Sequence, residues 1–141
     1  MEVVEWEIFP YVRFGPVAFG MTREDVTEAL GRPEAVDSGF FHYERLLATV
    51  GFDSKGKCNW IATSPGRPVR ATVADIDLVG DHDEVVRRLA EHGHTARQGL
   101  ADEADAGSTY VDDLGVYLWR EDSDEPGLDT VAAYRRGLWD E

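Results

Sequence analysis

The sequence predicts an α+β fold built from two similar halves. Each half is a helix followed by antiparallel strands, and the helices are expected to pack against one face of an antiparallel sheet. Two segments with helical periodicity support this class, as do the alternating, strand-like patterns that follow each of them. At 141 residues the chain fits a single domain, 1–141, made of two pseudo-repeats at about 1–66 and 67–141.

The helix of the first half is the best-defined element. Thr22 is a good N-cap because its hydroxyl can accept from a free backbone N–H of the first turn, and Asp25 lies at the capping-box spacing. Gly31 can adopt the left-handed conformation that ends a helix. One face carries the apolar side chains at i, i+3 and i+4, which are Val26, Ala29 and Leu30. These local signals together predict a short amphipathic helix.

Alternation and turn residues predict the other elements. In the first half, strands are expected at residues 3–9, 40–43, about 46–52 and 58–63. In the second half, strands are expected at 69–79, 108–112, 115–121 and 129–136, with a helix at about 82–92. The turn signal Asp53-Ser54-Lys55-Gly56 predicts a hairpin. The segment 64–68, rich in Pro and Gly, is the clearest connector between the halves.

The charge is strongly acidic. Twenty-eight acids face 14 bases, which gives a net charge of -14 and a pI near 4.5. Nucleic acid and anionic membranes both require positive surface, so we expect neither as a partner. The charge is compatible with a basic protein partner. Solubility, or an acid-rich proteome, is the alternative explanation.

The cysteine count and the N-terminus indicate the compartment. A single cysteine, Cys58, excludes an internal disulfide. Residues 1–7 lack both the basic and the apolar segment of a signal peptide, and no apolar run is long enough to span a membrane. We therefore expect a cytoplasmic protein.

One motif resembles known families. The segment Phe19-Gly20-Met21-Thr22-Arg23-Glu24-Asp25-Val26, closing with Leu30-Gly31, resembles the repeat motif of the β-lactamase inhibitor protein family, which actinomycetes secrete. Followed by Pro33, it is also similar to small bacterial lipoproteins of outer-membrane assembly. The first resemblance implies a tandem-repeat fold in a cytoplasmic relative of actinomycete type. It also implies a concave sheet that presents aromatic and acidic side chains to a protein partner.

The chain departs from both families. Its second half has Gly80-Asp81-His82-Asp83-Glu84 where the motif would repeat, although Gly80, Glu84 and Val86 still match their counterparts in the first half. The inhibitors are exported and disulfide-bonded, and the lipoproteins need a lipidated N-terminal cysteine that is absent here. No binding residue of either family is therefore transferred to this chain.

No catalytic, cofactor or metal motif is recognisable. His82 and His92 would lie about 80° apart around a helix, a poor chelating pair, so we expect these histidines and His94 to be solvated at the helix ends. Cys58 is expected to be a buried structural thiol. The acidic pairs 112–113 and 121–122 could supply an acid and a base, but adjacent acids at strand ends are more typical of solvated turns. We expect no enzyme and no cofactor.

The C-terminal half combines aromatic and acidic residues. Tyr117 and Trp119 lie on the face of the 115–121 strand opposite Val116 and Leu118, so this second face must be covered or used for binding. Aromatic anchors surrounded by acids suit recognition of a basic protein. The alternative is that this face packs against the sheet of the other half. The predicted partner-binding residues are Tyr110, Asp112, Asp113, Tyr117, Trp119, Glu121, Asp122, Asp124 and Glu125.

Two functions follow from the sequence. The first is a non-catalytic protein-binding protein, most plausibly an immunity or inhibitor protein that neutralises a basic toxin or enzyme. The second is a small housekeeping or regulatory module of unknown ligand, whose acidity is set by its proteome. The sequence does not decide the oligomeric state.

Overall fold

The computed structural model describes residues 4–64, 68–98, 108–119 and 130–135. Over these residues the chain forms thirteen strands and two α-helices. The strands before the first helix are β1 (Val4–Phe9), β2 (Arg13–Phe14) and β3 (Val17–Ala18). Helix α1 (Arg23–Leu30) is followed by β4 (Ala35–Asp37), β5 (Phe40–Tyr43), a 3-10 turn (Glu44–Leu46), β6 (Ala48–Phe52) and β7 (Cys58–Thr63). The second half contains β8 (Val69–Val73), β9 (Ile76–Asp77), α2 (His82–Glu91), β10 (Arg97–Gln98), β11 (Ser108–Val111), β12 (Val116–Trp119) and β13 (Thr130–Tyr134).

The strands form two sheets. The smaller has five strands in the order β3-β2-β1-β8-β9, and β1 runs parallel to β8 at its centre. The larger has eight strands in the order β10-β11-β12-β13-β7-β6-β5-β4 and is antiparallel throughout. The strands that follow α1 therefore occupy one end of the large sheet, and those that follow α2 occupy the other. The division into two pseudo-repeats stays a prediction.

The predicted fold class is wrong. The described chain is mostly β with two large sheets, and it is not two helix-plus-strand halves with helices packed on a sheet. The composition of the hydrophobic core gives the physical reason for this difference. The five-stranded sheet contributes eight buried residues to the core, whereas the two helices contribute four. The eight are Trp6, Ile8, Phe14, Val17, Val69, Ala71, Val73 and Ile76, and the four are Val26, Leu30, Val85 and Leu89. The five-stranded sheet therefore contributes more to the shared core than the two short helices do.

The strand expected at 69–79 is a hairpin. Ala74 and Asp75 both take positive φ, 51° and 66°, and thereby turn β8 directly into β9. Two consecutive residues with positive φ are typical of tight hairpin turns, for which Asn and Gly are the usual residues. The sequence gives no such signal at Ala74, and continuous alternation through the turn led to the prediction of one long strand.

Helix α1 forms as predicted. Asp25 N–H donates to Thr22 Oγ1 and Thr22 N–H donates to an Asp25 carboxylate oxygen, each over 3.1 Å, which completes the capping box. Gly31 ends the helix with φ 87°. Val26 and Leu30 are buried, and the Tyr43 hydroxyl donates to the Gly31 carbonyl over 2.9 Å. This last bond fastens the end of α1 to the large sheet.

His82 at the start of α2 corrects a prediction. Its side chain is buried, with 3% of the residue exposed, whereas a solvated histidine was expected. The ring Nε2 lies 2.8 Å from Thr109 Oγ1 on β11, and Nδ1 lies 3.0 Å from an Asp83 carboxylate oxygen. The helix start is thereby attached to the sheet by a buried polar contact, which is satisfied on both ring nitrogens.

The first prediction concerns the capping box. Thr22→Ala removes the acceptor for Asp25 N–H, and we expect the free energy of unfolding to fall by about 1 kcal/mol. Chemical denaturation at pH 7 measures the change. The control is Thr27→Ala, the same substitution inside the same helix, which should be neutral or slightly stabilising. Equal losses in both variants would contradict the assigned role of the cap.

Candidate functional site

The two faces of the eight-stranded sheet differ in what they contact. Alternate residues of each strand point to the core, and this inner face is buried and apolar. Examples are Phe41, Val50, Ile61, Val116 and Val131. The residues between them point to the opposite side, which we call the outer face. The candidate site lies there.

An aromatic wall crosses the outer face. We give this name to Phe40, Trp60 and Tyr134, of which Trp60 and Tyr134 are register partners on the two central strands. Phe40 and Trp60 meet edge to face, with ring centroids 5.8 Å apart. Gly51 on β6 lies between them, and a Cβ at that position would be 3.0 Å from Phe40 Cε1 and 3.3 Å from Trp60 Cε3. The absence of a side chain at Gly51 allows the two rings to touch.

A hydrogen bond links strands from the two halves of the chain near the centre of the large sheet. Trp60 Nε1–H on β7 donates to the Tyr117 hydroxyl on β12 over 3.0 Å, across the intervening strand β13. Ala132, the register partner of Tyr117, is fully buried on the outer face. Tyr117 also stacks on Tyr134, with centroids 6.3 Å apart and an interplanar angle of 29°. These contacts restrict the orientation of Trp60.

A groove lies beside the aromatic wall, with a volume of about 540 Å³. Its floor is a ladder of mostly small residues that are register partners from strand to strand. These are Ala35, His42, Thr49 and Ala62. His42 Nδ1 lies 3.4 Å from Thr49 Oγ1. Small side chains between large ones produce the depression.

The opposite side of the groove is formed by Glu44, Leu47, Ser64 and Thr130. Leu47 has a positive φ of 50° and is 53% exposed, so an apolar side chain is held at the rim by an unfavourable backbone conformation. Two backbone bonds fix it: Leu47 N–H donates to the Glu44 carbonyl, and Ser64 N–H donates to the Leu47 carbonyl. Strain of this kind is often found at binding sites.

Negative charge is concentrated at one end of the groove. Asp37 and Glu44, both exposed, line the same cavity near the edge strand β4. Within the described part of the chain, no lysine or arginine lines the groove. Arg45, next to Glu44 in the chain, instead donates to Glu34 and to the Leu30 carbonyl. The Arg45 guanidinium therefore binds groups at the end of α1 and in the segment before β4.

Glu34 supports the backbone at this end. Its carboxylate accepts from Arg45 Nη1 over 2.7 Å and from Glu44 N–H over 3.0 Å. Partial desolvation raises the pKa of Glu34, but the bonds from Arg45 and from the backbone outweigh it and hold the pKa below its ordinary value of 4.5. The bond to Glu44 N–H fixes the backbone from which the Glu44 side chain extends.

The structure places the predicted partner-binding residues as follows. Tyr110 is buried on the outer face, with its ring 5.6 Å from that of Tyr117, and both Tyr117 and Trp119 are half-buried there. Asp112 and Asp113 are exposed in the turn between β11 and β12. The remaining predicted residues lie outside the described part of the chain: Glu121, Asp122, Asp124 and Glu125. Tyr117 contacts Trp60, a residue of the first half that lies on the same face of the same eight-stranded sheet. The alternative, that this face packs against the sheet of the other half, stays a prediction.

Other reactive groups are dispersed. The Asp113 carboxylate pairs with His94 Nδ1 at the surface, and the Asp112 carbonyl accepts from the Tyr11 hydroxyl. Cys58 is buried as predicted, and burial raises the pKa of its thiol to about 12. Among the described residues, no group of three or more His, Cys, Asp or Glu side chains is placed to hold a metal ion.

Two further findings bear on partners and relatives. No helix in the described ranges has the length and hydrophobicity required to cross a bilayer. No family model, curated protein or solved structure matches the chain. The resemblance to the β-lactamase inhibitor protein family therefore stays a prediction.

Sequence reasoning missed most of the groove. Phe40, His42 and Trp60 alternate with buried core residues, and this alternation places them together on the outer face once the strands are paired. The available signal was a strand with large aromatic residues on the face opposite its core-facing residues. The prediction considered this pattern only in the 115–121 strand, and the same pattern in the strands of the first half was missed.

The second prediction is a pH dependence at Glu34. A folded-state pKa below the unfolded value means that the carboxylate stabilises the fold above about pH 4.5, and that this contribution is lost as the pH falls through the folded-state pKa. Glu34→Gln should therefore be less stable than the wild type at pH 7, and the difference should disappear once the pH has fallen below the folded-state pKa. Denaturation midpoints measured from pH 7 down through the acidic range test this. Glu28→Gln removes one exposed negative charge elsewhere and should show no such loss at pH 7.

The third prediction concerns the bond between Trp60 and Tyr117. Tyr117→Phe leaves the half-buried Trp60 Nε1–H without this acceptor, at a cost of about 1 kcal/mol in the free energy of unfolding. A double-mutant cycle with Trp60→Phe isolates the pair, and we expect a coupling energy of about 1 kcal/mol. Strictly additive single losses would mean that the hydrogen bond does not stabilise the fold.

Proposed function

We propose that the chain is a non-catalytic binding protein that captures a basic protein partner on the outer face of its eight-stranded sheet. An immunity or inhibitor protein that neutralises a basic toxin or enzyme in the cytoplasm is the form of this function that we favour. The observation that carries the proposal is the groove, which is lined by the ring of Trp60 and has two carboxylates at one end.

Binding energy at protein interfaces is concentrated in a few aromatic anchors set in a pre-formed surface. Phe40 is 39% exposed and Trp60 is half-buried, and each is held by the other and, for Trp60, by Tyr117. Little side-chain entropy would be lost when a partner contacts such fixed rings. The outer face is thus suited to act as an interface.

The charge supports a basic partner. A net charge of -14 would speed the approach of a positively charged protein and would repel nucleic acid and anionic membranes. The exposed acids at the groove, Asp37 and Glu44, would then face that partner. Asp112 and Asp113, which are also exposed, would add negative surface at the turn between β11 and β12.

The alternative is a small regulatory or housekeeping module with a small-molecule ligand. The groove favours it in one respect, because about 540 Å³ lies within the range of ligand pockets. Its open shape and its exposed apolar rim residue Leu47 fit a protein surface better. Thermal-shift screening against metabolite libraries addresses this alternative.

The fourth prediction tests the interface. The immobilised chain should retain a basic protein from a lysate of its native host at about 50 mM salt, with affinity falling at least about tenfold at 500 mM salt. Phe40→Arg places a positive charge at the exposed aromatic residue of the outer face and should abolish this retention. The matched control is Val12→Arg, which makes the same kind of change at a 57% exposed residue between β1 and β2.

The paired variants decide the result. Retention lost in Phe40→Arg and kept in Val12→Arg supports capture on the outer face. Equal retention in both would mean that the partner binds elsewhere. If no basic protein is retained at any salt concentration, the proposal fails and the small-ligand alternative gains weight.

A further inference from the structure

We propose that the groove receives a large apolar side chain of the basic partner, which inserts between Leu47 and Trp60. This inference rests on the proposed function, because it names the group through which the partner is recognised. Three properties coincide at Leu47 and carry it: an exposed apolar side chain, a strained backbone and a position on the lining of the groove.

Positive φ is unfavourable for a large side chain, and two large residues of the described chain adopt it, Tyr11 at 61° and Leu47 at 50°. The fold itself accounts for Tyr11. Its ring meets that of Tyr134 edge to face, with centroids 5.9 Å apart, and its hydroxyl donates to the Asp112 carbonyl. The strain at Tyr11 is therefore offset by contacts of its own side chain.

Leu47 has no comparable internal contact among the described residues. Its neighbour Leu46 packs against the hydrophobic core, whereas Leu47 does not belong to that core and is 53% exposed. Two backbone bonds hold it in place, from Leu47 N–H to the Glu44 carbonyl and from Ser64 N–H to the Leu47 carbonyl. A backbone held under strain to present an apolar side chain to solvent is explained by a contact with another molecule.

The space between Leu47 and Trp60 suits one large side chain. Leu47 lies opposite Ser64, and Trp60 lies four residues before Ser64 in the chain, on the adjacent strand β7. A strand rises about 3.4 Å per residue, so the two walls are roughly 13 Å apart at the backbone. The Leu47 and Trp60 side chains occupy part of this distance, and the register partners Thr49 and Ala62 form the floor between them. All of these groups lie on two neighbouring strands, within reach of a single phenylalanine or leucine.

Charge complementarity indicates what surrounds that side chain in the partner. Glu44 lines the groove three residues before Leu47, and the chain has a net charge of -14. An apolar side chain flanked by lysine or arginine therefore fits this surface better than one flanked by acids. The apolar group supplies the larger part of the affinity, and the flanking charges raise the association rate.

The fifth prediction uses a defined probe. A pentapeptide with lysine at each end and phenylalanine between two glycines, blocked at both termini, is titrated into the ¹⁵N-labelled full chain at about 50 mM salt. The amide signals of Leu47 and Thr49 and the indole N–H signal of Trp60 should shift and saturate. The same peptide with serine in place of phenylalanine carries the same charge and should bind at least about fivefold more weakly.

Variants at Leu47 separate a binding role from a structural one. Leu47→Asn should weaken binding of the phenylalanine peptide about fivefold and raise the melting temperature by a few degrees, because asparagine adopts positive φ more readily than leucine. Leu47→Met keeps an apolar side chain and should bind within about twofold of the wild type. The matched control is Ala74→Asn, which makes the same exchange at an exposed residue with φ 51° in the five-stranded sheet and should leave the affinity unchanged.

The outcomes distinguish this inference from the proposed function. Equal affinity for the two peptides, shifts confined to residues outside the groove, or a lower melting temperature for Leu47→Asn would each overturn it. If the protein retained from the lysate binds Leu47→Asn with unchanged affinity but does not bind Phe40→Arg, the interface stands and the insertion beside Leu47 is wrong. If the peptide results hold but no basic protein is retained, the apolar site stands and the proposed function fails.

Discussion

The pairing of β7 with β13 is the interaction on which the rest of the structure depends. It joins the strands that follow α1 to those that follow α2, and without it the large sheet would be two separate four-stranded sheets. Its register sets Trp60 opposite Tyr134 and Ala62 opposite Ala132. A slip of one residue would turn Ile61 out of the core and Trp60 into it, so burial of the inner face fixes the register.

The groove follows from this register. Because cross-strand partners share a face, Trp60 and Tyr134 lie side by side on β7 and β13, and Ala62, two residues further along β7, forms part of the floor. Gly51 allows the wall to continue to Phe40, and the bond from Trp60 to Tyr117 holds it in place. The shape of the outer face is thus a consequence of the same alternation that fills the core.

Local signals in the sequence were sufficient for local structure. Thr22, Asp25 and Gly31 act within one short segment, and the helix they predicted is present with its capping box. The fold class failed because β2, β3 and β9 have two residues each, too few to show any periodicity. The core they build depends on contacts distant in sequence, such as the parallel pairing of β1 with β8. The aromatic and acidic composition near the C-terminus was sufficient to predict Tyr117 as a site residue. Its hydrogen-bond partner Trp60 lies in the other half of the chain, so local composition could not predict that contact.

The acidity of the chain and the groove have separate physical roles. Net charge acts over a Debye length of about 8 Å at physiological salt, so it changes how fast a basic protein arrives and does little to select one basic protein from another. Selection requires groups held in fixed positions, and the ring of Trp60, which is bonded to Tyr117, is such a group on the outer face. An acidic proteome would account for the net charge alone. It would not account for the fixed orientation of Trp60, which is held on the outer face by the hydrogen bond to Tyr117 and by the edge-to-face contact with Phe40.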